Sequence, residues 1–582
     1  MTKNNITRFF THPTLPAHRL YEALRAYFVE NRTAKDTAEQ FGYHVGTLYV
    51  LASQFRAGKV PPFFIQHKPG PKRQPKKDAV RCAVMELRKK NYSVYDIHRL
   101  LRNDGHTISV RAIWEILKDA GFARLPRRLD EERPDWPRPI QAAYADRRQF
   151  NLSPRKFRTQ AGGLFLFLPF LVDMRIDQLV RRAGYPGTKA IPPLQYFLSL
   201  LSLKLLSRER ISYVMDLVCD PGAALWCGLN ILPKTTALTT YSYRIRRSQN
   251  RAFLKLWNQA LLKTGLVKGK SFNLDFHAIA HFGEESVLEK NYVPRRSHAE
   301  KSVMTFLAQD GESTVLCYSN AVMQKKEQSD EVLAFTRFWK ETAGSLPDEV
   351  VFDSRLTTYD NLSKLNAVGV QFLTLRRKST GLVQQLMSLP ASSWTRCELD
   401  VPHRKYKTPK IIEQKVRLQG YRGEVRQIAA KDLGRDLPTI LITNNFKTQA
   451  SILLTRYAKR MIIENAIADG INFFHLDALC SSLKVEVDFS VVLTVVANGL
   501  YHLFGNQIKG FEQCTAKQLH RKFINTIASI EIMGNKNVNV HLSLRAHNPL
   551  LMEAGFKDKI IKVPWLENVS FRITIPTNTR KP

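Results

Sequence analysis

Three acidic residues and two neighbours of one of them carry most of the chemistry this chain could perform. Asp275 lies in Phe272-Asn273-Leu274-Asp275-Phe276, Asp353 in Val350-Val351-Phe352-Asp353-Ser354, and Glu464 ends Tyr457-Ala458-Lys459-Arg460-Met461-Ile462-Ile463-Glu464. Each aspartate follows an apolar run, the pattern of a buried strand that delivers an acid to its exposed end. Two such acids can share a divalent metal. Glu464 sits in a helical pattern, where Tyr457, Arg460 and Glu464 fall at i, i+3 and i+7, so one face carries a phenol, a guanidinium and a carboxylate. That set suits a metal centre that handles phosphate.

Phosphodiester cleavage or joining needs an activated water or 3′-hydroxyl and a stabilised leaving oxygen, and two divalent cations about 4 Å apart supply both. Mg²⁺ takes carboxylate oxygens, water and substrate phosphate, so three acids suffice and histidines are not required. On this hypothesis Asp275 bridges the metals, and Asp353 and Glu464 each complete one side. Tyr457 and Arg460 contact the DNA backbone or orient Glu464. Asp348 and Asp360 compete with Asp353, and Asp469 and Asp477 with Glu464, but none has the same strand or helix context. His277 and His281 read as supporting or surface groups, and Trp226, Trp257 and Trp339 as core.

Charge points to a polyanion. The 582 residues carry a formal net charge of +37, which implies a partner whose counterions are exchanged for Lys and Arg. Double-stranded DNA is the leading class. A membrane surface is disfavoured, because no lipid-anchor motif or concentrated basic amphipathic helix is present. Through residue 150 there are 28 Lys and Arg against 15 Asp and Glu, so most of the excess lies further along. The seven cysteines, Cys82, Cys219, Cys227, Cys317, Cys397, Cys480 and Cys514, form no C-x-x-C pair, which argues against structural zinc and a disulfide framework. The start lacks the apolar core of a secretory signal, and the longest apolar run, Leu164 to Val172, contains Pro169 and is too short to span a bilayer. A reduced, soluble, cytoplasmic protein is expected.

The elements that must position these groups read as a multidomain α/β chain. Residues 1–65 hold a first helix-turn-helix module, with helices over Thr33 to Phe41 and Val45 to Phe55, a turn at Gly42, and Val45, Leu48 and Leu51 as the inner face. A basic linker, 66–77, presents Lys68, Lys72, Arg73, Lys76 and Lys77 to phosphates or a minor groove. A second module, 78–125, pairs Ser93 to Asn103 with Ser109 to Ala120; Ser109 is the expected N-cap and Arg111 a DNA contact. A hinge at 126–153 and a helical domain at 154–268 follow. The mixed α/β region 269–375 is then separated by a β-rich insertion, 376–447, from helices at 448–510, including one over 449–469, and a basic C-terminal region, 511–582.

With these residues in order, the chain resembles bacterial insertion-sequence transposases of the DDE class, in the subgroup marked by Y-x2-R-x3-E-x6-K and a β-rich insertion before the last glutamate. Tyr457, Arg460 and Glu464 match the signature, and Asp275 and Asp353 match the strand contexts, over roughly Leu232 to Gln507. The resemblance implies an RNase H-like catalytic core interrupted by the insertion, N-terminal modules that bind terminal inverted repeats, and DNA cleavage and strand transfer with Mg²⁺ or Mn²⁺. It also implies a homodimer or higher oligomer on paired DNA ends. One position departs: the family lysine falls at 471, where this chain has Ile471. The alternative reading is a catalytically silent, transposase-derived DNA-binding regulator.

Overall fold

The computed structural model describes residues 3–59, 63, 74–122, 125, 145, 147–281, 288–293, 298–401, 406–460, 462–478, 483–534 and 536–576. The chain divides into two compact units, Met1–Gln141 and Ala142–Pro582. Lys68, Lys72, Arg73 and most of the hinge lie outside the described residues.

The first unit is helical: α1 Lys3–Thr11, α2 Pro16–Phe28, α3 Ala34–Phe41, α4 Val45–Arg56, α5 Pro75–Asp78, α6 Arg81–Lys89, α7 Val94–Asn103 and α8 Val110–Asp119. Side-chain caps set the helix starts. Thr33 accepts from the Asp36 N–H, Ser93 forms a capping box with Asp96, and Ser109 accepts from the Ala112 N–H. Gly42 closes α3 in the left-handed region at φ +67°, where a side chain would be strained. Small residues, Ala23, Ala26, Ala34 and Ala38, with Phe41 and Leu48, make the first module's core. The inner face of α4 is Leu48 and Ala52, whereas Val45 is exposed. The contact with α3 follows the i, i+4 row through 48 and 52, and position 45, the first residue of the helix, falls at its rim. A second core joins Val84, Ile97, Leu101, Ile113, Ile116 and Leu117.

The second unit is mixed α/β. Its strands are β1 Arg155–Thr159, β2 Ser271–Ala280, β3 Lys290–Val293, β4 His298–Asp310, β5 Leu316–Asn320, β6 Glu349–Phe352, β7 Gln371–Leu375, β8 Thr395–Arg396, β9 Lys410–Arg417, β10 Glu424–Lys431, β11 Thr439–Thr443, β12 Ala528–Met533, β13 Asn537–Leu542, β14 Ile560–Val563 and β15 Val569–Thr574. Its helices are α9 Leu168–Asp173, α10 Ile176–Arg182, α11 Pro193–Leu205, α12 Pro221–Cys227, α13 Thr235–Tyr243, α14 Arg247–Thr264, α15 Glu331–Ala343, α16 Tyr359–Ala367, α17 Thr380–Met387, α18 Ala450–Lys459, α19 Ile462–Asn472, α20 Lys484–Gln507, α21 Ala516–Leu519 and α22 Asn548–Glu553.

Ten strands form one sheet in the order β3-β4-β2-β6-β7-β11-β10-β9-β8, with β5 also paired to β4. Strand β2 runs antiparallel to β4 and parallel to β6, and β6 parallel to β7. The segment expected as a β-rich insertion holds α17 and strands β8 to β11, and it extends this same sheet: β11 pairs antiparallel with β7, Leu375 opposite Leu441. The other sheet, β1-β12-β13-β15-β14, brings Arg155–Thr159 beside the C-terminal strands. The basic C-terminal region therefore contributes four of the five strands of this sheet. One apolar core runs from Ala161 to Ile575, so the segments drawn from 154 onward share an interior. At Gly163 a side chain would collide with the Ile524 backbone, which is how closely the two ends meet. Trp226, Trp257 and Trp339 are fully buried.

Helix α20 is the one helix among the described residues long and apolar enough to cross a membrane. It lies inside the core, with 83% of its most apolar window buried, a placement compatible with a soluble protein. Its Asp488 is fully buried and is satisfied by Arg247 at 2.9 Å, Asn250 at 2.7 Å and the Ala321 N–H at 2.9 Å, as a charge in an apolar interior requires.

Candidate active site

Successive residues of a strand point to opposite faces, and β2 uses the two faces differently. Phe272 and Leu274 enter the main core, where Phe272 meets the rings of Phe335 at 5.0 Å and Trp339 at 4.5 Å. Ser271, Asn273, Asp275 and His277 occupy the other face. Strand β6 has the same division: Val350 and Phe352 join the main core, while Glu349, Val351 and Asp353 share parity with the polar face of β2. The parallel register sets Ser271 against Glu349 and Asn273 against Val351. The paired register ends at Asn273 and Val351, two residues before Asp275 and Asp353, and the two carboxylates lie near enough for the charge of Asp353 to act on Asp275. Two acids far apart in sequence come within electrostatic reach because parallel pairing aligns the strands that lead to them.

Helices α18 and α19 cover this polar face. The expected continuous helix is divided after Lys459: the Arg460 N–H donates to the Tyr457 carbonyl at 3.0 Å, and the Ile463 N–H to the Arg460 carbonyl at 3.0 Å, both one residue tighter than α-helical spacing. Arg460 thus lies at a joint. Its guanidinium donates to Asp275 Oδ2 at 3.3 Å and to Glu464 Oε1 at 3.1 Å, and it lies 5.6 Å from the centre of the Tyr457 ring. Arg460 is 7% exposed, whereas the Glu464 side chain is 48% exposed. Asp353 Oδ1 accepts the Ser354 N–H at 2.6 Å.

One turn earlier, Arg456 clips the helix to both acid-bearing strands. It donates to Ser271 Oγ at 2.6 Å, Asn273 Oδ1 at 2.8 Å and Glu349 Oε2 at 2.8 Å. These hydrogen bonds make Arg456 a structural clamp. Ser271, Asn273 and Glu349 were not singled out by sequence, although the polar alternation before Asp275 is the signal that marks them. Beyond Asp275 on the same face, His277 Nε2 lies 2.6 Å from Asp477 Oδ1.

The electrostatics follow from crowding. Burial raises the Asp275 carboxyl above the ordinary aspartate range, and the charges of Glu464 and Asp353 push the same way, against Arg460 and the Phe276 N–H. Burial also lifts the Tyr457 phenol to about 12, with Arg460 opposing and Asp353 assisting. For Arg460, burial acts to lower the pKa, but Tyr457, Asp275, Glu464 and Asp353 outweigh it and the net shift is upward. This is a cluster that attracts cations.

Asp275, Asp353 and Glu464 offer oxygen donors only, the chemistry that fits Mg²⁺ or Mn²⁺. Among the described residues no group of three or more His, Cys, Asp or Glu side chains is gathered closely enough to hold a metal ion, and Arg460 lies between two of the carboxylates. Three of the rival acids have other partners. Asp360 is exposed and paired with Lys364 at 2.7 Å, Asp469 accepts the Ala516 N–H at 3.1 Å, and Asp477 is engaged with His277. Ile471 packs against an apolar cluster of Ile279, Ile463, Ile467 and Leu476, which gives position 471 a packing role.

In the first unit, Lys77 and Arg111 converge on Glu115, at 2.6 and 3.2 Å, and Lys76 is exposed. The Arg111 side chain is 88% exposed, so it remains available to a further partner. Its helix α8 also exposes Trp114 and Lys118, the lysine 5.1 Å from the Trp114 ring centre. With Arg111 they form an i, i+3, i+7 stripe that the sequence reading passed over. No protein-family model matches this chain, and no curated protein shows significant similarity to it.

Proposed function

We propose that this chain is a DNA transposase of the DDE class, an enzyme that binds transposon terminal inverted repeats and carries out divalent-metal-dependent strand cleavage and strand transfer. The observation that carries the reading is the polar cluster at β2 and β6, where the charges of Asp353 and Glu464 act on Asp275 and Arg460 joins Asp275 to Glu464. The strand order β5-β4-β2-β6-β7, antiparallel on one side of β2 and parallel on the other, supports an RNase H-like core. The net charge of +37 supports double-stranded DNA as partner, and the paired helices α3–α4 and α7–α8 support end recognition by the first unit. A cytoplasmic location and a dimer or larger assembly on paired ends belong to the same proposal.

Asp275, Asp353 and Glu464 would supply oxygen ligands to Mg²⁺ or Mn²⁺ after a closer approach than the present arrangement gives them. When bound, the metal supplies Lewis-acid activation of the nucleophilic oxygen and stabilisation of the leaving oxygen. The chain's own contributions are positional. Strands β2 and β6 fix two carboxylates against a packed core, Arg456 ties the covering helix to both strands, and the buried faces exclude bulk water from one side. Arg460 and Tyr457 lie where a phosphate approaching the acids would meet a guanidinium and a phenol.

The test is Mg²⁺-dependent nicking and joining of DNA carrying the sequences that flank the gene. Wild type is compared with Asp275→Ala, Asp353→Ala and Glu464→Ala after each is shown to bind those ends. Cleavage lost in all three supports the enzyme. Binding by wild type without nicking or joining, in Mg²⁺ and in Mn²⁺, would replace it with the silent regulator.

A further inference from the structure

Arg460 is placed unlike an ordinary surface cation. Its fork spans Asp275 and Glu464, it is almost wholly buried, and it sits at the joint between α18 and α19. Each of the two hydrogen bonds occupies one oxygen of a carboxylate proposed to bind the divalent cation. A guanidinium and a metal ion competing for the same oxygens repel each other, and the low-dielectric surroundings strengthen that repulsion. The Nε–H of Arg460 is buried without a hydrogen-bond partner, so the present arrangement leaves one donor of the fork unsatisfied. A phosphate, with several acceptor oxygens, can engage adjacent donors of one guanidinium together.

We propose that Arg460 is the resident counter-cation of the carboxylate cluster in the DNA-free protein, holding divalent-metal affinity low until a DNA phosphate draws the guanidinium away. This rests on the carboxylate metal site proposed above. Metal and DNA then bind with positive coupling, because each is favoured by the state in which Arg460 has left Asp275 and Glu464.

The experiment measures Mn²⁺ binding to the full-length protein by the loss of the free-ion electron paramagnetic resonance signal, with and without a short duplex DNA of mixed sequence. Wild type, Arg460→Gln and Asp275→Asn are compared, and thermal unfolding confirms that each is folded. Arg460→Gln is expected to bind Mn²⁺ at least about ten-fold more tightly than wild type without DNA, the effect of releasing charged hydrogen bonds. Duplex DNA is expected to tighten Mn²⁺ binding by wild type and to leave Arg460→Gln unchanged. Arg460→Lys, which keeps the charge but loses the fork, is expected to fall between the two, and it serves should Arg460→Gln unfold. Equal Mn²⁺ affinity of wild type and the Arg460 variants, with binding abolished by Asp275→Asn, would overturn the counter-cation role and leave the metal site standing. Mn²⁺ binding indifferent to Asp275→Asn as well would overturn both.

Discussion

The two faces of strands β2 and β6 are built from the same backbone, one wholly apolar and the other setting a polar cluster among the apolar contacts of Val351 and Ile279. On one, Phe272, Leu274, Val350 and Phe352 bury apolar surface against α15 and the main core. On the other, Arg456 and Arg460 hold Ser271, Asn273, Asp275 and Glu349 beneath α18 and α19, and Asp353 accepts the Ser354 N–H. Apolar burial is non-directional and tolerates approximate chemistry, whereas a buried polar face is stable only if nearly every group finds a partner. A protein that needed only a stable sheet would have little reason to place three carboxylates and two arginines there. The difference marks which face the fold serves and which face uses the fold.

Substitutions can break this contrast, and the largest effect is expected on the polar face. On the proposed function, Asp353→Ala should reduce DNA cleavage by about 10³-fold or more while leaving the unfolding temperature close to wild type, since the role proposed for its carboxylate is in chemistry rather than packing. Calorimetry alongside the cleavage assay separates the two readouts. On the apolar face, Phe272→Ala should lower stability by about 3–5 kcal/mol in chemical denaturation, the cost of removing a fully buried ring.

Between these extremes lies Arg456→Met, which keeps the volume and removes the clamp. A loss of about 2 kcal/mol is expected, below the value for a fully buried pair because Arg456 and Glu349 retain some solvent contact. Denaturant titration checks the magnitude, and cleavage should fall as the acid-bearing strands lose their tie to α18. The smallest effect is on pH dependence. The folded Tyr457 phenol is raised to about 12, above its unfolded value of about 10, so the stability it contributes is fully present below pH 10 and is lost as pH rises towards 12. Tyr457→Phe should flatten that decline, and absorbance titration of the phenolate identifies the group responsible.

Local signals were the legible ones. Helix pairs in the first unit follow from Gly42 and from the caps at Ser93 and Ser109, which act within a few residues. Asp275 and Asp353 stand out because apolar runs precede them, and Glu464 because Tyr457 and Arg460 share its helical phase. Long-range pairings were hidden. Nothing adjacent in sequence announces that β11 continues the sheet from β7, or that β1 pairs with β12 across the length of the unit. The Arg456 clamp escapes for the same reason, because its partners Ser271, Asn273 and Glu349 are ordinary residues until register aligns them. Asp488, a charge inside the long apolar helix α20, depends on Arg247 and Asn250 from another helix.

The claim that Asp275, Asp353 and Glu464 share a divalent metal is tested most directly by iron-directed cleavage of the polypeptide. Fe²⁺ replaces Mg²⁺ in the presence of duplex DNA, ascorbate and peroxide generate radicals at the bound ion, and the backbone cuts are mapped by mass spectrometry. Cuts clustered near residues 275, 353 and 464 together, and abolished by Asp275→Asn, are the predicted result. Cuts confined to other segments, or unchanged by Asp275→Asn, would contradict a shared metal on the polar face of the sheet.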